Sequence, residues 1–122
     1  MRVAVLGASD NPERYSYKAV TLLKKEGHAV LPVNPKLESI EGVPVFASLD
    51  KVPGPIDTVS VYLSPEHSSK LEKEILSARP KRLIFNPGAE NPELAAKASA
   101  KGIHTLEACT LVLLTTGQFE SA

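Results

Sequence analysis

The run most suited to chemistry is Gly7-Ala8-Ser9-Asp10-Asn11-Pro12-Glu13-Arg14-Tyr15-Ser16. Gly7 allows a sharp backbone turn and a close ligand approach. Ala8 and Ser9 are small and extend that clearance. Ser9 and Ser16 bring hydroxyl donors, and Arg14 brings a planar fork suited to phosphate oxygens. A helix starting behind this loop would add free amides and a positive dipole end, both favourable to an anion. The combination points to a phosphate-bearing, nucleotide-like ligand. The plain alternative is an ordinary turn that carries a surface arginine.

This loop is not a full dinucleotide fingerprint, because only the first of its three glycines is present. A second turn, Asn34-Pro35-Lys36, also departs from the NAD pattern, which places an acid there to hold the ribose hydroxyls. A lysine suits a ribose phosphate, as in NADP or coenzyme A; otherwise Lys36 is a solvated turn residue. The three histidines form no cluster. His28 follows a helix-ending glycine and reads as an exposed turn residue, and His104 opens a strand and reads as structural. His67 falls in a helix's first turn near the ligand face, with a catalytic role the lesser reading. No His/Cys group has metal-ligand spacing. No Ser-His-acid arrangement can be argued from position, and Ser9 sits on no nucleophile elbow. The single cysteine, Cys109, reads as a buried free thiol; Glu107 nearby works against the electropositive setting a reactive thiol needs. A mixed disulfide with coenzyme A is the speculative alternative.

The elements that must position these residues alternate along the chain. Val3-Ala4-Val5-Leu6 reads as a strand buried on both faces and closed by Gly7. Residues 16–26 carry Ala19, Val20, Leu22 and Leu23 on one face of a helix that Gly27 stops. Strands follow at 29–33 and 57–62, with a very short one at 44–46 and a single helical turn after Ser48. Pro32 is awkward inside a ladder. Ser64-Pro65-Glu66 and Asn91-Pro92-Glu93 each read as N-cap, first-turn proline and first-turn acid. They start helices that flank a strand at 82–85, and a last strand runs over 103–106. Thr110-Leu111-Val112-Leu113-Leu114 reads as a final element packed on the sheet, or as a subunit contact. The pattern predicts one α/β domain over residues 1–122, a doubly wound, mainly parallel sheet with helices on both faces. Its ligands belong at the carboxyl ends of the strands.

The 122 residues fit one domain, and zero net charge removes the usual electrostatic sign of a nucleic-acid or membrane binder. One cysteine excludes an internal disulfide. The amino terminus reads as a strand and not a signal peptide, so the expected location is the cytoplasm.

Four segments in order carry a resemblance. They are Val5-Leu6-Gly7-Ala8-Ser9-Asp10-Asn11-Pro12 with Arg14 and Ser16-Tyr17, and Val30-Leu31-Pro32-Val33-Asn34-Pro35. The others are Glu41-Gly42-Val43-Pro44-Val45-Phe46 with Ser48-Leu49, and Asn86-Pro87-Gly88-Ala89-Glu90-Asn91. Together they resemble the CoA-binding domain family, small proteins similar to the N-terminal domain of the succinyl-CoA synthetase α subunit. The resemblance implies a Rossmann-like domain holding coenzyme A or an acyl-CoA across the strand ends. Gly7, Ala8, Ser9, Arg14 and Ser16 would then serve the phosphates, with Asn11 a further cofactor-binding residue of that loop, and Asn34, Pro35 and Lys36 the adenosine part. Tyr62, Leu63, Ser64 and Pro65 would line the pantetheine route, with Asn86, Pro87 and Gly88 beside it. In succinyl-CoA synthetase the phosphorylated histidine and nucleotide-activating parts lie in other domains, so the expectation is a binding module without chemistry of its own. Its partners would be CoA and, beyond that, a second copy or a ligase or acyltransferase component. The rival readings are an NAD(P)-dependent oxidoreductase domain and a regulatory subunit with a vestigial pocket.

Overall fold

A computed structural model describes residues 1–122. Five strands form one parallel sheet: β1 (Arg2–Leu6), β2 (Ala29–Val33), β5 (Thr58–Val61), β6 (Arg82–Phe85) and β7 (His104–Glu107). Their spatial order is β2-β1-β5-β6-β7. Helix α1 (Tyr15–Lys25) joins β1 to β2, and α2 (Pro65–Lys70) with α3 (Glu72–Ser77) joins β5 to β6. Helix α4 (Pro92–Ala100) joins β6 to β7, and α5 (Thr110–Thr115) follows β7.

Side-chain alternation splits the core in two. Ala4, Leu6, Val59, Val61, Leu83 and Phe85 face one side and meet Ile75 of α3 and Leu94 and Ala98 of α4. Val3, Val5 and Ile84 face the other side and meet Val20 and Leu23 of α1, Leu114 of α5 and Phe119. The fold is the expected α/β Rossmann-like one, with helices on both faces.

Three local details differ from the sequence expectation, each for a physical reason. The short strand expected at 44–46 is replaced by a hairpin of β3 (Ser39–Ile40) and β4 (Val43–Pro44), which pair antiparallel. Its turn is Glu41-Gly42, both at positive φ as a tight hairpin turn requires. Phe46 makes one parallel bridge to β2, and its amide donates to the Pro32 carbonyl at 2.9 Å. Pro32 is tolerated because its missing N–H falls on this outer edge, away from the ladder with β1. The single helix expected after Ser64 is broken at Leu71, whose amide bonds Ser68 three residues back. That tighter turn separates α2 from α3.

His28 is the third difference. Its side chain is only 5% exposed, not an open turn residue. It packs edge-on against Phe119 and meets the Met1 amine at 3.2 Å. Burial lowers its pKa, with the nearby amino terminus acting in the same direction.

Candidate functional site

The chain leaves β1 toward β2 on one side, then crosses to β5 on the other. The β1/β5 boundary is therefore the switch point of the sheet, where doubly wound folds open a crevice. A cleft of about 600 Å³ lies there. The loop after β1 forms most of it, and Asn34, Tyr62, Leu63 and Pro87 reach it from the ends of β2, β5 and β6.

Gly7 makes this junction possible. Its φ is +89°, a region L side chains rarely adopt. A Cβ there would lie 2.9 Å from Leu63 Cδ2 and 3.3 Å from the Tyr62 carbonyl carbon. Only glycine lets the loops after β1 and β5 approach this closely. The Gly7 and Ala8 amides both donate to the Val33 carbonyl at 3.2 Å, tying the loop to β2. The Asn34 side chain completes that clamp. Its Nδ2 donates to the Ala8 carbonyl and its Oδ1 accepts from the Lys36 amide, both at 2.8 Å.

Beyond Ala8 the loop is built from short turns. The Asn11 amide donates to Ser9 Oγ at 3.0 Å, and the Glu13 amide donates to Asn11 Oδ1 at 3.0 Å. Asn11 is thus a loop-shaping residue outside the cleft lining. These turns end at Arg14, the N-cap of α1, which supplies no side-chain cap. The first backbone bond of the helix runs from Lys18 N to Arg14 O at 3.2 Å. The amides of Tyr15, Ser16 and Tyr17 precede it and point out of the helix end. Uncapped amides of this kind, with the helix dipole behind them, attract an anion. Arg14 adds an exposed positive charge at the same place.

Nine of the sixteen residues named from sequence line this cleft: Gly7, Ala8, Ser9, Arg14, Ser16, Asn34, Tyr62, Leu63 and Pro87. Pro35 and Lys36 stand in the exposed turn just past Asn34, outside the lining. Ser64 and Pro65 open α2 and are exposed, with Ser64 Oγ 2.7 Å from His67 Nδ1. Gly88 also lies outside, exposed in the turn after Pro87. Two lining residues were not foreseen, Glu13 and Tyr15. Tyr15 is 68% exposed, and an exposed tyrosine in a ligand loop is a signal for stacking.

Asn86 is brought to the site but not to its surface. It is 1% exposed. Its Nδ2 donates to Ser60 Oγ and to the Val61 carbonyl, both at 2.9 Å, and its Oδ1 accepts from the Thr110 amide at 2.8 Å. Ser60 Oγ and Thr110 Oγ1 are 2.8 Å apart. This network joins β5, β6 and α5 beneath the cleft. The Tyr62 hydroxyl is buried with no hydrogen-bond partner. Burial pushes its pKa up to about 12, and the Thr110 and Ser60 hydroxyls pull it down without coming into hydrogen-bonding geometry. Cys109, the N-cap of α5, is a half-buried free thiol.

The family model for the CoA binding domain matches residues 1–115. This chain belongs to the CoA-binding domain family. The domain is 32% identical over 101 residues to the uncharacterized protein YneT of Bacillus subtilis, covering 83% of this chain and 75% of that one. It is 38% identical over 62 residues to the acetate–CoA ligase [ADP-forming] II subunit alpha of Pyrococcus furiosus. That match covers 50% of this chain and 14% of the subunit. A solved structure described as an uncharacterized protein superimposes with a TM-score of 0.90, at 39% identity and 97% coverage of both chains. No helix of the CoA-binding domain is long and apolar enough to cross a membrane.

Proposed function

We propose that this CoA-binding domain is a stand-alone binder of coenzyme A or an acyl-CoA that acts without chemistry of its own. The observation that carries the proposal is the uncapped start of α1 beside Arg14, opening into the cleft at the switch point. Family membership supports coenzyme A as the ligand, and the donors suit its phosphates. The Gly7 cradle fits a ligand backbone passing close, since a Cβ would close it. Tyr62 and Leu63 supply the apolar wall that a pantetheine arm would need. Tyr15 offers an open aromatic face to a base. Lys36, just beyond the lining, is within the reach of a long side chain to a ribose phosphate at the cleft's end.

Within this reading each residue has a physical task. The α1 amides and Arg14 neutralise phosphate charge. Asn34 and Ser9 hold the loop in shape, and Asn86 fixes the floor. Glu13 faces the same cleft with a carboxylate and sets a limit on how much anionic charge fits there.

Equilibrium titration with CoA tests the proposal. Arg14→Ala is expected to weaken binding by about 1–3 kcal/mol, the scale of a lost charge-assisted contact. Lys36→Ala is expected to weaken CoA more than dephospho-CoA. Unchanged affinity in Arg14→Ala would remove that residue from the site, and equal losses in Lys36→Ala would show that it reads no ribose phosphate.

A further inference from the structure

A second concavity, about 790 Å³, lies at the other end of the sheet. Pro80 and Lys81 lead into β6 there, and Gly102 and Ile103 lead into β7. Four exposed cations line it: Lys73, Arg79, Lys81 and Lys101. None of them forms an ion pair; the acid of the groove, Glu72, is bound to Lys97 of α4 at 2.8 Å. In a chain of zero net charge this is a concentrated positive surface. Leu76 and Ile103 give it an apolar floor.

The backbone decides which anion fits. The groove is lined by Ser77 at the end of α3 and by Lys101, the C-cap of α4. Two helices therefore present their carbonyl ends to it. Carbonyl ends repel a compact phosphate, which is favoured at helix N-termini instead. The lining also holds no aromatic side chain on which a nucleic-acid base could stack. A peptide answers all three features. Its carboxylates meet the cations, its amides meet the carbonyls, and an apolar side chain rests on Leu76 and Ile103.

Arg79 supports the same choice. Its φ is +46°, a position just past a helix where glycine is usual. An arginine there is a costlier way to end α3, and it sets a cation at the groove's edge.

From this geometry we infer that the groove is a docking surface for an acidic, leucine-bearing peptide segment of a partner protein. The surface is distinct from the CoA cleft, so a partner seated there leaves the cleft open. The test uses the full chain and a short fluorescent peptide rich in Glu with interspersed Leu. Fluorescence anisotropy is expected to show saturable binding that weakens as salt is added. Lys81→Glu with Lys101→Glu is expected to weaken it by about tenfold or more, as for opposed charges at an interface. A control with Lys25→Glu and Lys51→Glu, exposed lysines outside the groove, is expected to leave it near the parent value. Arg79→Gly is expected to weaken peptide binding while the melting temperature holds or rises. That pairing separates loss of the surface from loss of the fold.

Three results would each overturn the inference. One is no saturable binding, and another is an equal loss in the lysine control. The third is tighter binding of a single-stranded oligonucleotide of matched charge, which would make the groove a nucleic-acid surface. CoA titration on the same variants is expected to be unchanged, so failure here leaves the cleft's reading standing and failure there leaves this one.

Discussion

Gly7 and Tyr62 face each other across the switch point and answer to different physics. Gly7 is held by its positive φ and by the nearness of Leu63 and Tyr62. Gly7→Ala is expected to cost about 1–3 kcal/mol of stability, because it adds both backbone strain and a steric overlap. Urea denaturation would read that loss, and an unchanged midpoint would mean the loops can separate freely. Tyr62 has an orphaned hydroxyl and a pKa pushed up to about 12 by burial. The folded state therefore holds this proton more tightly than the unfolded chain, whose tyrosine titrates near 10. Stability is unaffected by this group below about pH 10 and falls as pH rises from there toward 12. Tyr62→Phe is expected to remove that part of the alkaline loss and to be neutral or stabilising at neutral pH. Ultraviolet titration of phenolate formation would show the highest-titrating tyrosine disappear in this variant. A normal tyrosine pKa at position 62 would contradict the burial of its hydroxyl.

At the scale of elements, Asn86 is the joint. One side chain bonds β5 through Ser60 and Val61 and α5 through Thr110. Asn86→Ala is expected to destabilise the fold by about 2–3 kcal/mol, because it leaves buried partners unsatisfied. Hydrogen exchange should show α5 opening first; uniform loosening across the sheet would deny it this specific role. This joint was not legible in the sequence. Asn86-Pro87-Gly88 reads as a ligand turn, and nothing in the letters shows that its first residue points inward. The main elements were legible, because Val3-Ala4-Val5-Leu6, the α1 stripe and the two Pro-led helix starts are local signals. The break at Leu71 and the antiparallel hairpin at Glu41-Gly42 depend on contacts between segments. The strand at 29–33 was legible despite Pro32; why the proline is tolerated was not, because its place on the sheet's outer side follows from strand order and not from β2 itself.

Across the whole molecule, the switch-point cleft and the cationic groove sit at opposite ends of one sheet. The carboxyl end gathers free helix amides and Arg14, and the amino end gathers helix carbonyls and four unpaired cations. Parallel strands create that polarity, since every α1-like crossover begins at one end and finishes at the other. The first end was readable from sequence because Gly7 to Ser16 is one contiguous run. The second was not, because Lys73, Arg79, Lys81 and Lys101 come from two crossovers that only the fold brings together. Tyr15 and Glu13 fell between these cases: both lie inside the legible loop, but their exposure into the cleft comes from the turns set by Ser9 and Asn11.

The most direct test of the central claim is a thermal-shift comparison of CoA, acetyl-CoA, dephospho-CoA, NAD and NADP at equal concentrations. A ligand bound by the native state alone raises stability according to its concentration relative to its affinity. The predicted result is a rise in melting temperature with CoA or acetyl-CoA, a smaller one with dephospho-CoA, and none with the dinucleotides. A rise with NADP and none with CoA would contradict the account and turn the cleft into a site for redox chemistry.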